Sequence, residues 1–313
     1  MKPIHIYYNK YYMPFHLYLD LTYMVLTDEL KYDVTKHYNN ENIRDINFNT
    51  DETIMFYFNF IPDLVNIYGY DFLGNSNVIF IHADNHQNHS QDHQNKMHEF
   101  CRVNQDKIKI WDYCSKNIKY YRENFPNLKY SYIPLFYHPY LEEIYNNSVQ
   151  RKIPYHEKDI DIVFLGAVTN RRRQIIDEIK RKYPQYTFFS IEGSNPLPYI
   201  LNIIERSKIV INPYANETVT TFDYYRLALI YPNKTFVINE EFKTIDYEIE
   251  PNLRELRPLI EEVLTEQFVD KVHEFLIKPL EEKHSQANSI YEIYTKTTLS
   301  DAIKNAMIEY PNH

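Results

Sequence analysis

A run of histidines and a run of arginines are the residues of this sequence best suited to chemistry. Five histidines fall between residues 79 and 99, directly after a strand-like apolar run. Imidazole binds metals and exchanges protons near neutral pH. Arg171, Arg172 and Arg173 follow a second apolar run, DIVFLG, and guanidinium groups pair with phosphate. The two runs therefore indicate proton transfer or metal binding in one half of the chain and anion binding in the other.

Short buried strands that alternate with helical patterns must position these residues. In the first half, strands are predicted at 4–8, 53–58, 78–81, 107–111 and 130–134, and helices at 15–30 and 115–124. In the second half, strands are predicted at 161–165, 186–191, 209–212 and 235–238, with helices at 172–183, 197–206 and 222–230. The chain then reads as helical from Glu255, with a break at Pro279. This alternation predicts two α/β domains with mostly parallel sheets.

The predicted domain limits follow from composition. Residues 140–158 are polar and irregular in pattern, which is typical of a linker. We therefore expect an N-terminal Rossmann-like domain over 1–140, a linker over 141–158, a second Rossmann-like domain over 159–285 and a C-terminal helical segment over 286–313.

Composition excludes several classes of function. The net charge is −9 and the pI is about 5.8, which disfavours general nucleic-acid binding because that requires a basic surface. Only 4 glycines occur, too scattered for a P-loop or a dinucleotide fingerprint. Cys101 and Cys114 lack metal spacing and cannot build a disulfide framework. No run approaches the roughly 20 apolar residues of a membrane span, so we expect a cytoplasmic protein.

Residues that directly follow the strands are the candidates for ligand binding. In open α/β sheets, ligands bind beyond the carboxyl ends of the strands, where helix N-termini favour anions. Arginines at a helix N-terminus oppose the helix dipole unless an anion lies between them. The arginine run therefore indicates either a diphosphate site or a solvated basic turn. Asp223 near the next helix start either complements the dipole or accepts hydrogen bonds from a ribose diol.

The order of these motifs resembles the C-terminal domain of GT-B fold glycosyltransferases, in particular those of the spore-maturation and capsule type. The first pattern is strand–G–x–x–x–N–R–R, followed about forty residues later by a strand that ends in Asn. The second runs from Asp223 through Arg226, Asn233 and Lys234 to Glu240. FIHADN, KIWDYCSKNIKYYRENFPN and YIPLFYHPY resemble the N-terminal half of the same enzymes. The resemblance covers about residues 1–245 and is strongest over 160–240.

The resemblance implies a GT-B fold, in which two Rossmann-like domains face a central cleft and C-terminal helices pack back across the domains. It also implies that the second domain binds a nucleotide-diphosphate sugar. The implied binding residues are Gly166, Asn170, Arg171, Arg172, Asn212, Tyr214, Asp223, Arg226 and Glu240. Two departures stand out: Asp223 occupies a position where the family pattern usually has Glu, and YYNKYYMPF replaces the glycine-rich loop that many relatives carry after the first strand.

The histidine run has three interpretations. His82, Asp84 and His86 follow an N-terminal strand, so they are the candidate catalytic residues, as a base for the acceptor hydroxyl or as acceptor ligands. Four-residue spacing could also present imidazoles to a metal, but residues 84–96 contain no apolar side chain to anchor a helix, so no metal site is predicted. A polar surface loop is the third interpretation, and His89, His93 and His98 are expected to be solvated.

The sequence therefore predicts a glycosyltransferase that moves a sugar, hexosyl or pentosyl, from a nucleotide-diphosphate donor to a hydroxyl of a glycan or protein acceptor. No cofactor and no metal are expected to be required, and no nucleic-acid partner or transmembrane segment is expected. Two alternatives stay open. One is a non-catalytic carbohydrate- or protein-binding module that kept the fold, and the other is a nucleotide-sugar epimerase.

Overall fold

The computed structural model describes residues 2–8, 16–38, 40–57, 60–82, 90–193, 195–215, 224–242 and 247–308. The contacts divide the chain into two units. The first unit comprises residues 1–135 and 299–313, and the second comprises residues 136–298. The predicted domain limits differ from this division in two places: residues 136–158 belong to the second unit, and the last helix returns to the first. Among the described residues, no helix is both long and apolar enough to span a membrane.

The first unit is built on a six-stranded parallel sheet with the strand order β2-β1-β3-β4-β5-β6. Its strands are β1 (Ile4–Tyr8), β2 (Val34–Tyr38), β3 (Thr53–Tyr57), β4 (Asn77–His82), β5 (Ile108–Asp112) and β6 (Lys129–Tyr132). β3 is buried along its whole length, because a parallel sheet is covered on both faces. His82 and Asp112, the last residues of β4 and β5, are direct partners in the register.

The helices of the first unit connect these strands. They are α1 (His16–Met24), continued by a π-helical turn (Val25–Glu29), α2 (Ile61–Tyr68), α3 (Gln91–Asn104), α4 (Ser115–Asn124) and α12 (Leu299–Ile308). A 3-10 turn also follows β2 (Asn40–Asp45). α12 packs against α1 and the π-helical turn, so the end of the chain completes this unit.

The second unit is built on a five-stranded parallel sheet with the strand order β11-β10-β9-β7-β8. Its strands are β7 (Ile160–Leu165), β8 (Phe188–Ile191), β9 (Ser207–Asn212), β10 (Val237–Glu240) and β11 (Glu261–Val263). Counted within the unit, this is the doubly wound order 2-1-3-4-5, and it reverses direction between β7 and β9. The structure thus confirms the predicted α/β class with two parallel sheets.

Helices cover both faces of the second sheet. They are α5 (Pro139–Ser148), α6 (Asn170–Lys182), α7 (Leu197–Arg206), α8 (Tyr224–Leu227), α9 (Pro251–Leu256), α10 (Phe268–Ile277) and α11 (Leu280–Tyr294). Short 3-10 turns occur at Tyr155–Glu157, Tyr231–Asn233, Arg257–Leu259 and Thr265–Gln267. Ile162 and Phe164 pack into a core with α6 and α10. Side chains alternate along β7, so Val163 points to the opposite face, and α7 contacts this strand.

Several predictions of secondary structure were wrong or incomplete. Residues 139–148 form α5 instead of an irregular linker, because Pro139 starts the helix and Leu141 and Tyr145 bury one side of it. The rejected helix in the histidine run exists as α3, which Ser90 caps and which Met97, Phe100 and Cys101 anchor from its second turn onward. β11 was not predicted either. It has only three residues, too few for a strand pattern to emerge from a polar sequence.

Candidate functional site

Those residues predicted to bind a donor that the structure describes lie along one edge of the second sheet. β7 leads into the loop at Gly166, β9 into the loop at Pro213 and Tyr214, and α6 begins with Asn170. All three points lie at the carboxyl ends of β7 and β9, the strands between which the order reverses. Open α/β sheets bind ligands at this topological switch point, because the flanking helices lie on opposite faces and leave a crevice.

Gly166 and Arg226 are in close contact at this point. Gly166 has φ of +123°, a conformation that glycine adopts without strain. A Cβ on Gly166 would lie 2.9 Å from Nη2 of Arg226, so a larger residue would displace the guanidinium group. Arg226 also donates to Oδ1 of Asn212, at the end of β9, and its Cζ lies 5.7 Å from the centre of the Phe164 ring. These contacts fix a cation between the ends of β7 and β9.

Arg172 places a second guanidinium group on the same aromatic ring. Its Cζ lies 5.2 Å from the centre of Phe164, and the residue is 8% exposed. Nε donates to the carbonyl oxygen of Pro213 (3.0 Å) and Nη1 to that of Ala167 (3.0 Å). Arg172 therefore links the loop after β7 to the loop after β9. Its charge contributes positive potential to the switch point, and its hydrogen bonds hold the two loops together.

Arg171 points elsewhere, toward Glu240 at the end of β10. Nη1 of Arg171 lies 2.8 Å from one carboxylate oxygen of Glu240, and Nη2 bonds to the other. Glu240 is 2% exposed and also accepts hydrogen bonds from the Thr265 hydroxyl and the Tyr214 amide. Burial raises the pKa of Glu240, but the hydrogen bonds from Arg171, Thr265 and Tyr214 outweigh burial and hold it below the usual value. The pair is thus a buried cross-link of the kind that positions loops.

The Arg171–Glu240 pair binds the loop after β9 through the two backbone groups of Tyr214. The Tyr214 amide donates to Glu240 (2.8 Å), and the Tyr214 carbonyl accepts from Nη1 of Arg171 (3.0 Å). Asn212 donates through its amide to Asn239 Oδ1 (2.9 Å) while it accepts from Arg226. Tyr214 and Asn212 therefore take part in the scaffold of the site, and the Arg171–Glu240 pair determines where their loop lies.

Asn170 and Asp223 are the other two residues that were predicted to bind the donor. Asn170 is exposed at the first position of α6, directly after the capping residue Thr169. The Thr169 hydroxyl donates to the Ala215 carbonyl (2.8 Å), which fastens the start of α6 to the loop after β9. Asp223 lies outside the described residues, so its assignment to the ribose stays a prediction.

In the first unit, His82 forms a buried pair with Asp112. Nδ1 of His82 lies 2.8 Å from Oδ2 of Asp112, and the two residues are 3% and 1% exposed. Asp112 also accepts from the Cys114 amide (2.8 Å), the Asn117 amide and the Tyr121 hydroxyl. Burial raises the pKa of the Asp112 carboxyl; the electrostatic attraction of His82, followed by the hydrogen bonds from His82, the Cys114 amide and Asn117, opposes that rise.

This arrangement determines how the His82 ring is oriented. An ionised carboxylate can only accept, so Nδ1 carries the proton in the neutral ring and Nε2 is the basic nitrogen. A histidine oriented by a buried carboxylate is the geometry of a general base. The same contacts also join the ends of β4 and β5 to the start of α4.

The other histidines of the run differ from each other. Asp84, His86 and His89 lie outside the described residues, so the catalytic assignment of Asp84 and His86 stays a prediction. His98 was expected to be solvated, but Nδ1 bonds to the Tyr120 hydroxyl (2.5 Å) and its ring packs on Phe125, so that expectation was wrong. In the described part of the chain, no cluster of three or more His, Cys, Asp or Glu side chains could hold a metal ion.

Sequence reasoning missed the partners of the predicted residues. Asp112 could have been predicted as a site residue, because it ends a buried strand just as His82 does. Asn117 and Tyr121 follow it at helical spacing on one side of α4. Nothing in the sequence distinguishes Phe164 from an ordinary core residue. Thr265 lies in a segment that was predicted to be helical. Their roles depend on contacts between residues far apart in the sequence.

Comparison with known proteins supplies the fold but no sequence family. No protein-family model matches the chain, and no curated protein sequence matches it. Among solved structures, two UDP-forming α,α-trehalose-phosphate synthases are similar, from Burkholderia xenovorans (8% identity) and Burkholderia vietnamiensis (9%). Each match has a TM-score of 0.62 and covers 99% of this chain and 98% or 99% of the other.

An α-glucosyltransferase solved in complex with UDP and a 13-mer DNA is similar to the same degree. It is 10% identical, has a TM-score of 0.62, and the match covers 99% of both chains. These matches run over almost the whole of each chain, so they include both α/β units. The chain therefore has the fold of the GT-B glycosyltransferases, as its sequence motifs predicted.

Proposed function

We propose that this protein is a glycosyltransferase that takes a nucleotide-diphosphate sugar as donor and binds its diphosphate at the carboxyl edge of the second sheet. One observation carries the proposal. Arg226 lies against the glycine loop of β7 and the last residue of β9, at the switch point of a doubly wound sheet. The glycine there lets the Arg226 guanidinium group lie against the backbone, and a guanidinium group pairs with phosphate oxygens.

The chemistry requires a stabilised leaving group. As the acceptor hydroxyl attacks the anomeric carbon, the bond to the nucleoside diphosphate breaks and negative charge develops on the diphosphate. Arg226, Arg172 and the first-turn N–H groups of α6 are the groups of this site that would meet that charge. Because two guanidinium groups contribute positive charge at this site, we propose that no metal and no other cofactor is required.

The transferred group is proposed to be a hexosyl or pentosyl unit, and the acceptor a hydroxyl of a glycan or protein. His82 is assigned to the acceptor hydroxyl, either to orient it or to take its proton, because Asp112 fixes the ring with Nε2 as the basic nitrogen. The similar structures support a nucleotide-sugar donor, since they include enzymes named as UDP-forming synthases and a glucosyltransferase solved with UDP.

Thermal shift with a panel of nucleotides tests the proposal. UDP, GDP, CDP, dTDP and their sugars are added to the purified protein, with and without EDTA. Ligand at 100 times its dissociation constant adds about 2.7 kcal/mol to stability, a rise of a few degrees for a chain of this size. One nucleotide family should raise the melting temperature regardless of EDTA.

Turnover separates the proposal from its alternatives. Release of free nucleoside diphosphate that depends on an added acceptor identifies a transferase. Conversion of the sugar nucleotide without any acceptor would indicate an epimerase, and no response to any nucleotide would indicate a binding module. An EDTA-dependent response would contradict the metal-free mechanism.

A further inference from the structure

Asn239, near the carboxyl end of β10, is a buried amide in an otherwise apolar part of the second sheet. It is 0% exposed, and its register partner on β9 is Asn212, which is 4% exposed. Two residues earlier on the same face, the corresponding pair is Val237 and Val210. Apolar residues are usual in such strands, because burying an amide costs free energy unless it is hydrogen-bonded. Packing alone therefore does not account for the asparagine pair.

A chain of hydrogen bonds joins this pair to Arg226. Nη1 of Arg226 donates to Oδ1 of Asn212, and Nδ2 of Asn212 donates to Oδ1 of Asn239 (2.9 Å). Nδ2 of Asn239 then donates to the Tyr231 hydroxyl through a longer and weaker hydrogen bond of 3.4 Å. Tyr231 is 1% exposed, and its ring packs edge-on against that of Tyr294. The chain thus runs from the proposed donor site to a buried aromatic contact.

The donors and acceptors of this chain allow only one direction. A guanidinium group can only donate, so Asn212 must present its oxygen to Arg226. The nitrogen of Asn212 then faces β10, where Asn239 must present its oxygen in turn. With an apolar residue in place of Asn239, the Asn212 amide could turn its NH₂ group toward Arg226, and two donors would face each other. Asn239 therefore sets the orientation of Asn212 that Arg226 requires.

We propose that Asn239 is a positioning residue for the donor diphosphate, which acts through Asn212 to hold the Arg226 guanidinium group in place for phosphate contact. The inference rests on the proposed function, and it adds to that site a residue too deeply buried to touch the donor. An arginine that is fixed before binding loses less side-chain freedom when the ligand arrives. Burial of the chain also strengthens its hydrogen bonds relative to those in water.

A double-mutant cycle tests the inference by calorimetry with the nucleoside diphosphate that gives the largest thermal shift. Asn239→Leu removes the amide at similar volume, and we expect it to reduce affinity about tenfold, the scale of one hydrogen bond. In the Arg226→Ala background the same substitution should cause no further loss, because the group that Asn239 positions is gone.

Ser207→Ala is the matched control. Ser207 is the first residue of β9, at the opposite end of the strand from Asn212. It is 0% exposed, and its hydroxyl donates to the Ile203 carbonyl (2.6 Å). This variant therefore also loses a buried hydrogen bond from the same sheet, but its affinity for the nucleotide should equal that of the wild type.

A second measurement needs no ligand. The hydrogen bond to Asn212 should slow rotation of the Arg226 guanidinium group, so its Nη–H signals should be resolved in ¹H–¹⁵N spectra of the wild type and of Ser207→Ala. Their absence from Arg226→Ala assigns them. In Asn239→Leu they should be broadened by exchange. Tyr231→Phe removes only the weaker link, so it should broaden them less and reduce affinity about two- to threefold.

The contrary results are specific. Normal affinity and unchanged Arg226 signals in folded Asn239→Leu would overturn the inference. An equal loss of affinity in the Arg226→Ala background would overturn it too, because it would show a general disturbance of the sheet. If Asn239→Leu does not fold, unchanged signals and affinity in Tyr231→Phe would contradict the chain. If the wild type binds no nucleotide, the proposed function fails, and the spectra still decide whether Asn239 holds Arg226.

Discussion

The Arg171 guanidinium group donates hydrogen bonds to both carboxylate oxygens of buried Glu240 and to the Tyr214 carbonyl oxygen. An arginine in the middle of a predicted phosphate-binding run is thus committed to a protein carboxylate. The pair joins the start of α6, the end of β10 and the loop after β9, and Thr265 adds a fourth segment. We conclude that Arg171 and Glu240 position the loop after β9, and that Arg226 and Arg172 are the better candidates for the proposed diphosphate contact.

Glu240→Gln should destabilise the protein by about 3 kcal/mol in urea unfolding, because it leaves the partly buried Arg171 without its counter-charge. Arg171→Ala should cost a similar amount, and the double variant should cost much less than the sum. Both single variants should weaken nucleotide binding to the same small degree, through the loop. If Arg171 contacted the diphosphate itself, Arg171→Ala would reduce affinity far more than Glu240→Gln.

Acid pH should affect the same pair. The pKa of Glu240 is lower in the folded chain than the usual value of 4.5. Its contribution to stability is therefore complete above pH 4.5 and is lost as the pH falls through the folded-state pKa. The difference in free energy of unfolding between wild type and Glu240→Gln should shrink in this acid range. A difference that stays constant from pH 7 down to pH 3 would contradict the account.

Gly166→Ala should impair nucleotide binding more than its effect on stability explains. The new Cβ would meet Arg226 and would also have to adopt φ of +123°, which costs of order 1–3 kcal/mol. Gly69 is the matched control, since it has φ of +82° and nothing within 4 Å of an added Cβ. Both variants should lose stability, but only Gly166→Ala should lose affinity, by about tenfold. Equal affinities would remove Gly166 and Arg226 from the site.

His82→Gln should lower turnover by about 10² to 10⁴-fold, the range of a general base, with little change in donor affinity. Asp112→Asn should lower it less, because the ring stays in place but its preferred tautomer changes. If His82 acts as a general base, the fall in rate at acidic pH should be absent from the pH–rate profile of His82→Gln. If His82 only orients the acceptor, the profile should keep its shape while KM for the acceptor rises. Loss of stability without either kinetic effect would make the pair purely structural.

Alkaline pH should reveal the burial of Lys283, which lies in the first turn of α11 and is 1% exposed. Above about pH 10.5 its amine is neutral in both folded and unfolded chains, and below about pH 8 it is charged in both. Between these values the unfolded chain binds a proton that the folded chain does not, so the free energy of unfolding gains a contribution that rises with pH. Wild type should therefore gain stability relative to Lys283→Met across this range. A flat difference would show that Lys283 titrates normally.

The sequence predicted the fold better than the contacts within the site. Strands such as Ile4–Tyr8 and helices such as Leu197–Arg206 were located to the residue, because local apolar periodicity determines them. Gly166, Arg226 and His82 were predicted as site residues, yet their contacts depend on which strands become neighbours, and Asp112, the partner of His82, was missed. Arg171 was predicted to bind phosphate. Its ion pair with Glu240 was not predicted, because Glu240 lies 69 residues away in the chain. Helix α3 was missed because its polar first turn hides the apolar positions that follow.

The most direct test of the donor site is a calorimetric titration with the nucleoside diphosphate that gives the largest thermal shift. Wild type is compared with Arg226→Ala and with Arg173→Ala, which removes an exposed arginine from the same basic run. The account predicts at least a tenfold loss of affinity for Arg226→Ala, the scale of a charge-assisted hydrogen bond, and an unchanged affinity for Arg173→Ala. Equal affinities for all three proteins would contradict the placement of the diphosphate at the ends of β7 and β9.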